Sequence, residues 1–245
     1  MIRLVINGAL GRMGRCMIAL ASEDPRLQVV AEIDIDGPVR GSEALEHGPI
    51  DAVIDVSSDL GAQRAIEISR LHRAALLVAT TALSERTRGL LDDAAASVAV
   101  MVASNLAPGV AVMKHLAALA ATLLGPEYDL SLAEHHHAAK KDAPSGTALS
   151  IRDAIARASG RMIPSDQIFS GRGGDVIGEH TLRLAGPGEY LEIAHRATTR
   201  DLFARGALRA IEWLVEQPPG RYTIEQMLGF KGMQPLRHRD TEKTG

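Results

Sequence analysis

The chain opens on a short, uninterrupted apolar run, residues 2–6, of the kind that forms a parallel strand buried on both faces. From Arg12 the period changes. Met13, Cys16, Met17 and Leu20 recur at i, i+3, i+4 and i+7, the stripe of a helix packed on a sheet. Residues 27–33 and 52–56 read as the next strands, 65–71 as a helix and 75–79 as a strand. A helix is predicted to start near Ser84, a suitable N-cap, and another strand covers 98–103. Strands separated by helices predict an α/β fold, a Rossmann-like doubly wound parallel sheet with right-handed crossovers.

Past Asn105 the rhythm differs. An apolar helix is predicted over 109–124, a strand over 128–137 and a helix over 147–158. Two strand-like segments, 181–184 and 190–197, flank Gly186-Pro187-Gly188, a strong turn signal. They predict an antiparallel hairpin in an inserted α+β unit. Helical spacing returns over 201–216. The charged tail, 231–245, lacks apolar periodicity and is expected to be loosely ordered.

Composition narrows the function classes. Hydrophobic residues make up 46% and aromatics 3%, so aliphatic side chains must fill the core. A net charge of −3 gives no basic footprint for nucleic acid or an anionic membrane. No apolar run approaches the roughly 20 residues a spanning helix needs. Cys16 is the one cysteine, which excludes an internal disulfide and fits a cytoplasmic location.

The first strand runs into Gly8-Ala9-Leu10-Gly11-Arg12-Met13-Gly14, with glycines at i, i+3 and i+6. Such a turn lets backbone approach a pyrophosphate at a helix N-terminus, although the usual dinucleotide fingerprint spaces its glycines i, i+2 and i+5. The second strand ends near Asp34, where a carboxylate can bond ribose hydroxyls and repel a 2′-phosphate. Ile35 adds no cation, while Arg12 can supply one from the loop. NADH is therefore favoured over NADPH. The alternative reading is a structural glycine turn with a solvated Asp.

The densest polar chemistry lies in 134–147, EHHHAAKKDAPSGT. Ser145, Gly146 and Thr147 fall at a predicted helix start, where unpaired N–H groups can hold a carboxylate. His136 and Lys140 can act as proton donors near neutrality if their surroundings tune them. An anion pocket beside such donors suits a small acidic substrate that is reduced and protonated. On a strand, His135 and His137 would share one face and His136 the other, with no cysteine beside them, so no metal is expected. A solvated basic loop capped by Ser145 is the competing reading. His180 and His195, on the hairpin, read as structural or exposed.

At these residues the chain resembles the dihydrodipicolinate reductase (4-hydroxy-tetrahydrodipicolinate reductase) family of bacterial lysine and diaminopimelate synthesis. The resemblance rests on His136, Lys140, Asp142 and Pro144-Ser145-Gly146-Thr147-Ala148, and on the Gly8–Gly14 loop. It implies hydride transfer from NADH or NADPH to ring C4 of a small dicarboxylate ring. It also implies His136 as proton donor or acceptor, Lys140 as proton donor, and His137 with Gly146 and Thr147 as carboxylate ligands. Gly8, Ala9, Leu10, Gly11, Arg12, Met13, Asp34, Ala79, Thr80, Thr81, Ala103, Ser104, Asn105 and Leu106 would line the cofactor. A homotetramer is implied, with residues 1–105 and 201–245 as the cofactor domain and 106–200 as the substrate and oligomerisation domain. The chain departs from the family's common Gly-Thr-Thr-Gly at Ala79-Thr80-Thr81-Ala82, and each added Cβ limits φ. Another amino- or imino-acid dehydrogenase, or a nucleotide-sensing homologue with little turnover, stays as an alternative.

Overall fold

A computed structural model describes residues 1–230 and divides the chain into two compact units. One comprises Met1–Leu106 together with the described residues from Ala204 onward, the other Ala107–Phe203. The charged tail lies outside the described residues.

The first unit begins with β1 (Ile2–Asn7), α1 (Arg12–Ser22) and β2 (Leu27–Asp34). Next come β3 (Gly37–Arg40), α2 (Ser42–His47), β4 (Ala52–Asp55), α3 (Asp59–His72), β5 (Ala75–Val78), α4 (Glu85–Ala94) and β6 (Ala99–Val102). The second unit holds α5 (Pro108–Leu124), β7 (Asp129–His136), α6 (Gly146–Ser159), β8 (Ile168–Arg172), β9 (Gly178–Gly186) and β10 (Glu189–Ala197). Most of α7 (Asp201–Leu214), with β11 (Gly220–Tyr222) and α8 (Ile224–Met227), belongs to the first unit again.

In the first unit seven strands run in the order β11-β6-β5-β4-β1-β2-β3, parallel except for β3. The central strands are apolar on both sides. Leu4, Ile6, Ile54, Leu77 and Met101 face one core, shared with Met17 of α1 and Ala207, Ile211 and Leu214 of α7. Val5, Val53, Leu76, Val78 and Val100 face the other, under Ala62, Ala65 and Ile66 of α3 and Leu91 of α4. Period-two alternation with apolar residues at both phases is what a sheet sandwiched between helices requires. The predicted doubly wound architecture is therefore the observed one.

The second unit carries a four-stranded mixed sheet, β10-β9-β7-β8. The strands β9 and β10 form the expected hairpin, Glu189 pairing Gly186 across a turn with Gly188 at φ +83°. Leu130 and Leu132 of β7 and Leu182 and Leu184 of β9 pack on Met113, Ala117, Ala148 and Ile151 of α5 and α6.

Several elements escaped the pattern. The helix α2 has no buried residue and β3 is mostly exposed, so neither leaves an apolar period. The strand β8 is largely solvent-facing and β11 has three residues. The helix α3 starts well before its predicted start at 65, at Asp59, capped by Ser58 through Gly61 N–H. One expectation is corrected: Pro108–Glu127 is long and apolar enough, by length and composition, to cross a membrane. Met113, Ala117 and Ala121 of this helix pack in the second unit's core, as a core helix does.

Candidate active site

The strand β1 delivers Gly8 at φ +91°, a conformation only glycine adopts without strain. A Cβ on Gly8 would lie 2.6 Å from the Val56 carbonyl oxygen, and one on Gly14 would lie 2.2 Å from that of Gly8. These two glycines let loop, strand and helix close on one another. Gly8 and Ala9 N–H both donate to the Ile33 carbonyl, and Gly11 N–H donates to that of Gly8. Gly11 is the N-cap of α1 and supplies no side-chain cap, so the helix tip keeps its polarity for an anion.

Beside this tip opens a cavity of about 370 Å³ whose lining includes Gly8, Gly11, Asp34, Ile35, Ser57 and Arg64. The Asp34 carboxylate accepts from Leu10 N–H at 2.7 Å and Ile35 N–H at 2.9 Å. Arg64 donates to the Asp34 carbonyl at 3.0 Å. The cavity thus sets a carboxylate and a guanidinium beside the helix tip. It gathers the expected Gly8, Gly11 and Asp34 and adds Arg64, which no sequence signal marks because α3 is remote in sequence and the residue looks like any surface arginine.

Other members of the predicted cofactor set are placed differently. The Ala9 side chain is buried in the core, so it can meet a ligand only through backbone, and Met13 packs partly buried against that core. Leu10 is half exposed and Arg12 is exposed. Ala79, Thr80 and Thr81 follow β5, and Ala103, Ser104, Asn105 and Leu106 follow β6, at the same carboxyl edge of the sheet as the glycine loop. Ala103 and Leu106 belong to the core. The Thr80 hydroxyl donates to Asp55 at 2.6 Å and accepts from Ser57 N–H. Asn7 joins the same group through Asp55, at 2.6 Å. This network ties the ends of β1, β4 and β5 beneath the glycine loop, and burial pushes the Asp55 carboxyl up against its hydrogen bonds. Ala82 sits at φ 57°, in the left-handed region where the family's glycine would be unstrained.

In the second unit the inward row of β7 changes from apolar to polar. After Leu130 and Leu132 come Glu134 and His136, both buried, while His135 points outward. His137 lies past the strand's end and its carbonyl accepts from Lys140 N–H. His136 Nδ1 lies 2.5 Å from Glu134 Oε2. Arg172, paired with His136 in register on β8, donates to both Glu134 oxygens at 2.9 and 2.8 Å. Burial opposes the charge on Glu134, yet Arg172, Ser170 and His136 outweigh it and hold the carboxyl at about 2. Glu134 is thus an anion, and His136 must donate from Nδ1, leaving Nε2 as the basic nitrogen. Burial lowers the His136 pKa and Glu134 partly restores it. A Cβ on Gly178 would lie 3.1 Å from His136 Nε2, so glycine there leaves that nitrogen uncrowded.

The loop after β7 positions the cation. Lys140 Nζ lies 2.8 Å from Asp142 Oδ1. Lys140 is the main cause that holds the Asp142 carboxyl below its usual range, burial opposing, and the Gly146 N–H adds to it. A carboxylate thus already stands between the lysine and the tip of α6. Ser145 takes the cap position that the competing reading gave it. It is buried, its hydroxyl accepts from Ala148 N–H as the N-cap, and its own N–H donates to Glu134. Its oxygen shapes the helix tip, and the same hydroxyl meets His180 Nε2 at 3.3 Å. Thr147 follows Gly146 in the first turn of α6. Among the described residues no three His, Cys, Asp or Glu side chains are grouped to hold a metal.

His180, read from the sequence as structural or exposed, is buried. It lies opposite Glu134 on β9, 3.3 Å from Ser145 Oγ through Nε2, with its ring 5.2 Å from that of His136. Burial, reinforced by His136, lowers its pKa to about 4. The unfolded chain binds a proton near pH 6.5, before the folded chain does. Stability from this group is therefore complete above 6.5 and is lost as pH falls toward 4. We expect the melting temperature to drop across that window, by the equivalent of roughly 3 kcal/mol at most. His180→Gln, a neutral side chain of similar reach, should flatten the drop in a thermal melt series. An equally steep series would remove His180 as its cause.

Comparison with known proteins agrees with this architecture. The family model for the N-terminus of dihydrodipicolinate reductase matches residues 2–106, and that for its C-terminus matches 109–228. A 4-hydroxy-tetrahydrodipicolinate reductase from Xanthomonas euvesicatoria pv. vesicatoria (strain 85-10) is 40% identical over 93% of this chain and 98% of its own. The enzyme of that name from Syntrophotalea carbinolica is 34% identical over 94% of this chain and 100% of its own. Among solved structures, a dipicolinate-bound dihydrodipicolinate reductase from Paenisporosarcina sp. TG-14 has the same fold. It superposes with a TM-score of 0.75 at 21% identity, covering 91% of this chain and 97% of that one. A DAP dehydrogenase from C. glutamicum shares the fold more loosely, with a TM-score of 0.57 at 13% identity over 91% and 92%. A fold common to reductases and amino-acid dehydrogenases does not choose between them, whereas matched family models over both units do. The chain belongs to the dihydrodipicolinate reductase family.

Proposed function

We propose that this chain reduces 4-hydroxy-tetrahydrodipicolinate, through dihydrodipicolinate, to tetrahydrodipicolinate with NAD(P)H. The observation that carries the reading is the second unit's site. There a histidine oriented by a buried carboxylate shares one segment with a lysine and a helix tip that already accepts a carboxylate.

Loss of the 4-hydroxyl as water leaves a conjugated cyclic imine. When bound, NAD(P)H supplies the hydride that adds to ring C4. The electron-rich ring then takes one proton, which balances the reaction. Lys140 is assigned as donor of that proton, and His136 Nε2 as the group that accepts or returns protons. The tip of α6 at Gly146 and Thr147 holds one ring carboxylate and His137 the other. A substrate carboxylate would replace Asp142 at the tip, and Lys140 would turn from one anion to the other. The glycine loop and Asp34 hold the nucleotide in the first unit.

The test couples the purified protein to a synthase that makes the ring from pyruvate and aspartate semialdehyde, and follows NADH and NADPH oxidation. Ring-dependent oxidation, inhibited competitively by pyridine-2,6-dicarboxylate, is expected. Oxidation that ignores the ring substrate would sink the assignment.

For the nucleotide, NADH is the favoured partner because Asp34 meets the ribose. Arg64 narrows the preference by bringing a cation to the same cavity. In fluorescence titrations Asp34→Ala should weaken NADH about 10-fold or more and NADPH less, since a charged hydrogen bond contributes about 1.5–3 kcal/mol. Arg64→Ala should weaken NADPH more. Equal losses for both nucleotides in both variants would place neither residue at the ribose. A cytoplasmic homotetramer completes the proposal. Its support is the sheet face turned away from α5 and α6, which exposes Phe169 and Tyr190. Light scattering of the intact chain measures the oligomer.

A further inference from the structure

We infer that Arg172 is the positioning residue that sets both proton-transfer groups, holding His136 through Glu134 and Lys140 through the backbone of Asp142. The inference rests on the reductase reading only for its effect on turnover.

The guanidinium is used almost to capacity. One nitrogen donates to Glu134 Oε2 at 2.9 Å and to the Gly171 carbonyl at 2.6 Å. The other donates to Glu134 Oε1 at 2.8 Å and to the Asp142 carbonyl at 2.5 Å. Glu134 passes the constraint to His136 Nδ1, and Asp142 passes it to Lys140 Nζ at 2.8 Å. Ser145 N–H adds a third donor to Glu134, so the α6 tip is pinned to the same carboxylate. Four groups needed for chemistry thus depend on one planar fork that comes from a different strand. Lysine offers a point charge and cannot reproduce that geometry. None of this was legible beforehand, because β8 has no apolar period and Arg172 is far from the motif in sequence.

The charges around His136 make the idea testable without turnover. They are Glu134 on β7, Lys140 on the following loop, Arg172 on β8 and His180 on β9. Glu134 raises the His136 pKa, while Lys140 and Arg172 lower it. The tautomer of His136 therefore reports whether Glu134 is still held against Nδ1.

The experiment uses the full chain and imidazole nitrogen NMR, with the His136 signal assigned by its loss in His136→Asn. Wild-type protein should show the Nδ1–H tautomer. The His136 pKa should fall in Glu134→Gln, and in Arg172→Met the Nδ1–H tautomer should give way to a mixture with Nε2–H. In the coupled assay, kcat should fall roughly 100-fold in Arg172→Met, the scale of a small misplacement of reacting groups. Nucleotide affinity should hold. Arg172→Lys should lose most of the kcat with little change in KM for the ring. If Arg172→Met does not fold, Arg172→Lys and Glu134→Gln carry the test. A wild-type tautomer or wild-type kcat in a folded Arg172 variant would overturn the inference. If wild-type protein fails to reduce the ring while the NMR shifts appear as stated, the function assignment fails and the positioning role stands.

Discussion

Lys140→Ala should lower kcat with the ring substrate by roughly 10²- to 10⁴-fold, the usual contribution of a positioned general acid. The fold should survive. The Lys140–Asp142 pair is partly open to water, and pairs of that kind contribute about 0–1 kcal/mol. NADH affinity should be unchanged, because the glycine loop and Asp34 belong to the other unit. The KM for the ring should rise as well. Without the ammonium, Asp142 faces the α6 tip as an uncompensated anion and repels an incoming carboxylate. Lys140→Arg separates the two roles. It restores the positive charge, so KM should recover, but a guanidinium does not release its proton near neutrality. The kcat should therefore stay low in Arg and Ala alike. Steady-state kinetics with both variants decides the matter, and an unchanged kcat in Lys140→Ala would remove Lys140 from the mechanism.

What the sequence disclosed, and what it hid, follows from how far each signal travels along the chain. The first unit was readable because its strands are apolar at both phases and its helices carry regular stripes, as at Met13, Cys16, Met17 and Leu20. The second unit's hairpin was readable from Gly186-Pro187-Gly188. Exposed elements such as β3, α2 and β8 bury too little to leave a period. The site divides along the same line. Gly8, Gly14, His136 and Lys140 lie in short local motifs, and the structure gathers each motif as one piece. Arg64, Arg172 and His180 act across strands or from another helix, and no spacing in the sequence marks them. Ser145 was legible only as one of two readings, a carboxylate ligand or a helix cap. A serine before a helix can offer its hydroxyl to a ligand or spend it on the helix, and only its burial and the Ala148 contact decide which.

Gly14→Ala should cost far more than Gly11→Ala, although Gly14 is helical and its φ suits any residue. The added Cβ would stand 2.2 Å from the Gly8 carbonyl oxygen and 2.8 Å from Ala9 Cα. Both are backbone atoms, and both are fixed from behind, since Gly8 and Ala9 N–H are bonded to Ile33. Neither can turn aside as a side-chain tip would. Relief requires α1 to move away from β1, which opens the core around Met17 and distorts the tip that faces the nucleotide. Overpacking of this kind costs about 1–3 kcal/mol, or roughly 10 °C in melting temperature at the upper end for a chain of this size. Nucleotide affinity should fall at least 10-fold. Gly11→Ala is the contrast. Its Cβ would meet only the Gly8 carbonyl, at 3.2 Å, so stability should stay within about 1 kcal/mol of wild type. That Cβ would nevertheless stand where the pyrophosphate approaches the loop, and affinity should fall while the melt does not. Thermal melts and NADH titrations on the two variants thus separate a glycine kept for packing from one kept for binding. A Gly14→Ala protein that melts and binds like wild type would mean that the helix does not lie this close to the turn.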